Sequence, residues 1–335
     1  TIQQMIPIKR YKTTSQGDVQ LTLTLDPYAF ILNSIAMGDV IATAPVIKYL
    51  VDNYYVTPES YLLVVKKQFR DLFPFIPDSN IKDFDSTDEP FWGIKPGTAA
   101  GLLNKKSDKH FTRNTPKSIH LSHYASLSFA DTIIPLSELN YVPLKAVDVS
   151  KFGVDFSKAV ILTTSYRDVT RMWYEKDIID LAAWIKSKGL TPVFIGKTDM
   201  DLDLEKKHLI PKSHLGNNAS EYGVDLRNQT SMLELASIFN QAVAVCGVDS
   251  GPIHLAGTTE TPIVCAYPTV LPEHRIPTRK HGATYTITPK LECANCESRW
   301  RTSYHSFENC FFGHANCCKE FTADRFIEHL EKIIR

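Results

Sequence analysis

The hydrophobic pattern changes period several times along the chain, and each change marks an element. Over the first 28 residues apolar positions alternate (Ile6 and Ile8, then Val19, Leu21, Leu23 and Leu25) around a polar turn at Gln16-Gly17-Asp18, which predicts a β-hairpin. The run 29–35 is short and apolar and predicts a buried strand. It ends in Met37-Gly38-Asp39, and a helical period follows through Val40, Ala44, Ile47, Leu50 and Val51. A strand, a glycine turn and a helix open a βα unit. A second buried strand is expected over 61–65, with an amphipathic helix in the segment up to Phe75, while 83–116 is polar and turn-rich.

The alternation restarts at Ala159-Val160-Ile161-Leu162-Thr163-Thr164. Helices are predicted over 176–188 (with Gly189 as its C-terminal cap), 231–240 and 322–334, and strands over 192–195, 242–246 and 262–267, with a loop-to-helix transition at 248–257. Two α/β units in tandem, divided near residues 150–157, are the simplest architecture.

Composition narrows the class. The chain has 335 residues, 37 basic and 37 acidic, and the charge balances separately before and after residue 150, which excludes a polycation that binds nucleic acid by bulk charge. No apolar run reaches the roughly 18–20 residues of a membrane span, so a cytoplasmic location is expected. Cys246 and Cys265 sit among apolar neighbours as small core residues do. Neither Gly-x-Gly-x-x-Gly nor a P-loop motif occurs, which lowers dinucleotide oxidoreductases and P-loop kinases.

The chemistry concentrates in Val243-Ala244-Val245-Cys246-Gly247-Val248-Asp249-Ser250-Gly251-Pro252-Ile253-His254-Leu255-Ala256. An apolar strand running into Asp-Ser-Gly-Pro, with a helix starting near Pro252, points backbone N–H groups at a site suited to an anion, and His254 follows one turn later. Taken alone, the pattern equally allows Asp249 as an N-cap and His254 as a surface histidine.

This block, followed by Thr261-Pro262-Ile263-Val264, resembles the Asp-Ser/Thr-Gly-x-x-His-Leu-Ala signature of glycosyltransferase family 9, the heptosyltransferase group. Gly38-Asp39-Val40-Ile41-Ala42 is similar to that family's N-terminal Gly-Asp loop, Arg167 to Trp173 to its basic-x-Trp segment, and LRNQTSMLELA, from Leu226 to Ala236, to the block before its last nucleotide-binding strand. The resemblance implies a GT-B architecture: two Rossmann-like domains facing a central cleft, with acceptor on the first and nucleotide-sugar on the second. On this basis residues 1–28 form an N-terminal β-hairpin extension, 29–153 the acceptor-binding domain, 154–320 the nucleotide-sugar-binding domain and 321–335 a C-terminal helix.

The resemblance further implies inverting sugar transfer without a catalytic cofactor. Asp39 is then the base, and Arg167, Arg171, Asp249, Ser250, Gly251 and His254 hold the donor, while Trp173 is a packing residue. A glycan or lipopolysaccharide-type acceptor is the family default. Gly38 and the basic run Lys105, Lys106, Lys109 and Arg113, with Phe111 among them, are acceptor-side candidates, and that run also keeps open a phage-type enzyme acting on hydroxymethylated bases in DNA. The expected location is then the cytoplasm, the inner membrane surface, or a host cytoplasm for a phage protein. A nucleotide-sugar-binding protein without activity is the non-enzymatic alternative. The Asp-x-Asp triplets in 199–203 are expected to form a solvated acidic loop. Finally, Cys293-x2-Cys296-x13-Cys310-x6-Cys317-Cys318 has spacing compatible with a structural zinc at Cys293, Cys296, Cys310 and Cys317 or Cys318, with reduced thiols and disulfides as alternatives.

Overall fold

The computed structural model describes residues 12–13, 19–20, 28–32, 36–54, 61–83, 100–103, 119–130, 133–166, 169–198, 212–213, 215–299, 310 and 312–334. The chain separates into two compact units: residues 1–112 with 121–144, and residues 113–120 with 145–335.

In the first unit the short strands β1 (Lys12–Thr13) and β2 (Val19–Gln20) pair antiparallel, Lys12 opposite Gln20 and Thr13 opposite Val19. The proposed turn between them and most of the predicted hairpin lie outside the described residues. The main sheet is parallel, in the order β5 (Ile81–Asp83), β4 (Tyr61–Val65), β3 (Tyr28–Leu32), β6 (Ala100–Leu103). Helix α1 (Met37–Tyr54) follows β3 and buries Val40, Ile41, Val46, Ile47 and Leu50. Helix α2 (Leu121–Ala130) packs on α1, its Ser122 hydroxyl donating to the Ala42 carbonyl at 2.9 Å. The Phe129 ring meets Phe30 edge-on at 5.7 Å between centroids, so β3 and α2 share one apolar layer.

Three expectations for this unit are corrected. The helix after β4 is a tight 3-10 turn, Lys67–Leu72, because Pro74 disfavours helical geometry at Phe73 and Pro77 follows at once. The region expected to be irregular supplies β6, whose four small and apolar residues, Ala100-Gly101-Leu102-Leu103, are too few to show a period. Helix α1 begins at Met37, so Gly38 and Asp39 belong to its first turn rather than to the loop before it.

The second unit is built on a six-stranded, wholly parallel sheet in the order β11 (Val224–Asp225), β9 (Thr191–Ile195), β7 (Ala159–Thr163), β12 (Ala244–Val248), β13 (Ile263–Ala266), β14 (Thr284–Ile287). The central strands β7 and β12 are buried at every position, as the continuous apolar runs of a sheet covered on both faces require. A small antiparallel pair, β8 (Ser165–Tyr166) with β10 (Lys212–Ser213), lies beside it in sequence. Helix α3 (Glu175–Ser187) ends at Gly189, whose φ of +72° continues the chain in the left-handed region that terminates helices. Helix α4 (Met232–Gln241) starts with a capping box, Ser231 and Glu234 each satisfying the other's backbone N–H. Helix α5 (Gly251–Ala256) follows β12, and the four-residue α6 (Cys296–Arg299) precedes the last helix, α7 (Ala323–Ile333). Trp173 is 1 % exposed and stacks on Phe326 of α7 at 4.4 Å, which makes it a packing residue as expected. Cys246 and Cys265 are wholly buried in the sheet. Among the described residues, no helix is long and apolar enough to cross a membrane.

Arg279 ties the sheet's far edge together. Its Nη1 donates to the carbonyls of Thr259 (3.0 Å) and Thr261 (2.8 Å), and its Nη2 to the Ala283 carbonyl (2.6 Å) and Thr284 Oγ1 (3.1 Å). Burial lowers its pKa to about 10, so it remains a cation at neutral pH. Arg279→Met should cost about 2 kcal/mol, because three carbonyls lose a charged donor at once. A urea midpoint unchanged from the wild type would show that water replaces the guanidinium at no cost.

Candidate functional site

The order of strands in the second unit locates its site. The chain proceeds from β7 outward through β9 to β11, then returns to the other side of β7 as β12 and continues to β13 and β14. The reversal falls between β7 and β12, and in open parallel sheets such a switch point opens a crevice at the carboxyl ends of the strands. Thr163 ends β7 there, and Gly247, Val248, Asp249 and Ser250 carry β12 into α5. Gly247 is dictated by close approach: a Cβ on it would lie 1.8 Å from Thr163 Oγ1 and 3.3 Å from Ile253 Cδ1. Thr163 Oγ1 and Ser250 Oγ are buried without a hydrogen-bond partner among the described residues.

Asp249 is the centre of this site. It is 4 % exposed, and its N–H is fixed to the Ala266 carbonyl of β13 at 2.9 Å. Arg171, at the end of the 3-10 turn Val169–Arg171, donates from Nη1 to the Asp249 carbonyl at 3.0 Å and places Nη2 3.4 Å from Oδ2. His254, on α5 and 3 % exposed, has Nε2 3.7 Å from Oδ1. Burial alone would raise the Asp249 pKa, but the charge of Arg171, then His254 and the charge of Arg275, hold it well below the usual carboxylate range. The pocket therefore keeps a buried carboxylate ionised and surrounds it with cationic groups. Burial, together with the same carboxylate, raises the thiol of Cys265 far above its ordinary value.

The helix after Asp249 is capped by Ser250, in extended geometry and with no side-chain cap bond, and Pro252 occupies its first turn. The N-cap alternative for Asp249 is thus set aside: its side chain turns to Arg171 and His254. The surface alternative for His254 is set aside by its burial. Gly251 is the first residue of α5. In the first unit, Gly38 is buried, while Asp39 is half-buried, its N–H bonded to the Ala36 carbonyl at 3.1 Å and its own carbonyl accepting Thr43 Oγ1 at 2.7 Å. Arg167, the Asp-x-Asp loop 199–203, and Lys105, Lys106, Lys109 and Arg113 lie outside the described residues.

Of the four cysteines of the expected zinc site, Cys293 and Cys310 are partly exposed and Cys296 and Cys317 are buried. Among the described residues, no three His, Cys, Asp or Glu side chains come together as a metal ion requires. Cys293 Sγ lies 3.8 Å from His314 Nε2, whereas Cys317 Sγ faces the Thr170 carbonyl at 3.8 Å. Bonding with Cys318, then burial, push the Cys317 thiol far above its usual pKa. All seven cysteines are unbonded, so the disulfide alternative is not realised either. Two contributors escaped the sequence. Arg275, 6 % exposed, sits in a proline-rich stretch with no period, and Thr163 reads there as one more strand residue.

A family model described as "Glycosyltransferase family 9 (heptosyltransferase)" matches residues 129–304. Among solved structures, a glycosyl transferase family 9 protein from Veillonella parvula DSM 2008 is 15 % identical with a TM-score of 0.65, covering 93 % of this chain and 99 % of that one. The iron-containing dodecameric glycosyltransferase TibC from enterotoxigenic E. coli H10407 is 14 % identical at a TM-score of 0.70, covering 94 % and 78 %, and a further TibC structure is a complex with ADP-D-beta-D-heptose. The ADP-heptose lps heptosyltransferase II of E. coli is 12 % identical at 0.58, covering 92 % and 98 %. No curated protein matches in sequence.

Asp249 supplies a pH test of this network. Its folded pKa is depressed, so its stabilisation is complete above the unfolded carboxylate value of about 4 and is lost as pH falls through the lower folded value. Asp249→Asn should cost about 3 kcal/mol at pH 7, with the deficit shrinking only below about pH 4. Urea unfolding of both proteins at pH 7 and pH 3 checks this, and an equal deficit at both pH values would remove the ionised carboxylate from the account.

Proposed function

Because the family model spans more than half of its 335 residues, the chain belongs to glycosyltransferase family 9, a family of enzymes that transfer sugar from a nucleotide-sugar, and we propose that this member is an inverting transferase taking an ADP-activated heptose. The observation that carries the donor assignment is the buried Asp249 with Arg171 and His254 around it, at the switch point between β7 and β12. The ADP-heptose bound by TibC supports the choice of nucleotide and sugar.

In this reading the donor diphosphate lies against Arg171, whose planar guanidinium suits phosphate oxygens in pairs, and against the turn Ser250-Gly251. The buried hydroxyls of Thr163 and Ser250 add donors to the same anion. Arg167 is a second cation from the same segment. Asp249 orients Arg171 and reaches a sugar hydroxyl, while His254 holds Asp249 from the other side. The acceptor hydroxyl attacks the anomeric carbon as the bond from that carbon to the diphosphate oxygen breaks. Its proton passes to Asp39, and the charge gathering on the leaving diphosphate is met by Arg171. Inversion requires hydroxyl and base on the face opposite the diphosphate. The acceptor is a sugar of a glycan or lipopolysaccharide-type chain, with Gly38 and the basic residues Lys105, Lys106, Lys109 and Arg113 on its side. Cys293, Cys296, Cys310 and Cys317 remain the residues that would hold a structural metal, and no catalytic step is routed through one.

Titration with ADP and with ADP-heptose tests the donor, since a ligand bound only by the folded protein raises its apparent stability. Asp39→Asn should lower transfer at least about 1,000-fold while donor affinity stays within a few-fold, and Arg171→Ala should weaken ADP binding by roughly 10- to 100-fold. Full turnover in the Asp39 variant would refute the assigned base.

A further inference from the structure

The cysteine-rich segment that begins at Cys293 packs along segments on both flanks of Asp249. On one flank, residues 295–298 run along the loop that leaves β13. The N–H of Asn295 donates to the Pro268 carbonyl at 3.1 Å and that of Glu297 to the Thr269 carbonyl at 2.8 Å. Thr269 Oγ1 returns a bond to Glu297 Oε2 at 2.9 Å. Ser298 Oγ accepts the Leu271 N–H at 3.0 Å and lies 3.1 Å from His274 Nδ1. Asn295 reaches this position with φ of +56°, a left-handed conformation that asparagine tolerates better than most residues.

The loop so held connects two points that act on Asp249. It begins after Ala266, whose carbonyl receives the Asp249 N–H, and it ends at Arg275, whose charge helps keep that carboxylate ionised. On the other flank, the turn Asn316–Glu320 packs against the turn that carries Arg171, with Cys317 Sγ at the Thr170 carbonyl. Thr170 is 1 % exposed, and two residues beyond Arg171 the Trp173 ring is stacked on Phe326. Both arginines that neutralise Asp249 therefore sit on segments braced by the C-terminal part of the chain.

We propose that this segment positions the donor site, and that Glu297 is the positioning residue through which it sets the loop between β13 and Arg275. The inference rests on the donor assignment above. Glu297 is 3 % exposed and Thr269 2 %, so their bond forms out of water, where a carboxylate and a hydroxyl accept few alternative geometries. An apolar contact in the same place would fill space without fixing register. Held by Glu297 at Thr269, the loop fixes the end of β13, where the Ala266 carbonyl receives the Asp249 N–H. Released, it lets that end shift, and with it the carboxylate that orients Arg171, the group the diphosphate needs.

The test separates positioning from folding. Glu297→Leu removes the acceptor, Glu297→Gln retains one carbonyl oxygen for Thr269, and Thr269→Val removes the donor from the other side. Glu297→Leu should raise the donor KM and the ADP Kd about tenfold with kcat within about twofold, and Thr269→Val should do the same. Glu297→Gln should restore both constants to within about twofold of the wild type, and the Leu/Val double variant should be no worse than either single one. An unchanged KM in folded Glu297→Leu, a parallel fall of kcat, or a Gln variant no better than Leu would overturn the proposal. If the Leu variant does not fold, Thr269→Val decides by the same criteria. ADP affinity unchanged in Arg171→Ala would instead overturn the donor assignment, and this inference with it.

Discussion

A carboxylate buried at the end of a central strand must either lose its charge or be surrounded by cations, and the second unit is organised around the second solution. Asp249 is held by its own backbone to β13, so it cannot move out to water. Arg171 must come to it, and with Arg171 comes the whole turn Val169–Arg171 and the start of α3. His254 must face it from α5, which fixes where that helix leaves the strand. The cost of desolvating Asp249 is thus converted into a set of fixed distances among groups from three separate stretches of chain. Under the proposed function such rigidity is an advantage, since positive groups already in place need not reorganise as charge develops on a leaving diphosphate.

The sheet makes this arrangement available. Reversal of strand order between β7 and β12 opens the carboxyl ends of two adjacent strands at one point, and Gly247 lets them approach until Thr163 Oγ1 occupies the space a side chain would have filled. Two buried hydroxyls then stand beside the buried ion pair. Elsewhere in the unit, buried arginines serve geometry instead. Arg227 donates to the carbonyls of Leu215 and Gly216 and pairs with Asp225, whose pKa falls despite burial because Arg227 outweighs it. It lies within the family-like block 226–236, but its bonds hold two loop segments together.

Five thiols within 26 residues satisfy the arithmetic of a tetrahedral site, while their protein contacts are set by the fold. Cys317 points toward Thr170, and Cys293 toward His314. The segment's polar residues Glu297 and Ser298 carry no motif at all, and they make the contacts to the loop after β13.

By itself the sequence determined the α/β alternation of both halves, the packing role of Trp173, the burial of Cys246 and Cys265, and the block from Asp249 to His254 as the place where chemistry gathers. Those features are local: a period of two or of 3.6, a proline at a helix start, a glycine where only glycine fits. Strand β6, with four residues, and the 3-10 turn after β4 fell below that resolution, because four residues hold no period and a proline several positions on decides whether a helix can run. Only the tertiary structure decided which partners Asp249 takes. Arg171 is 78 residues away along the chain, and Arg275 stands in a stretch without pattern. Nothing local distinguishes an arginine that neutralises a buried carboxylate from one in water. The difference is the desolvation that arises only when the strand ends, α5 and the turn carrying Arg171 come together around Asp249.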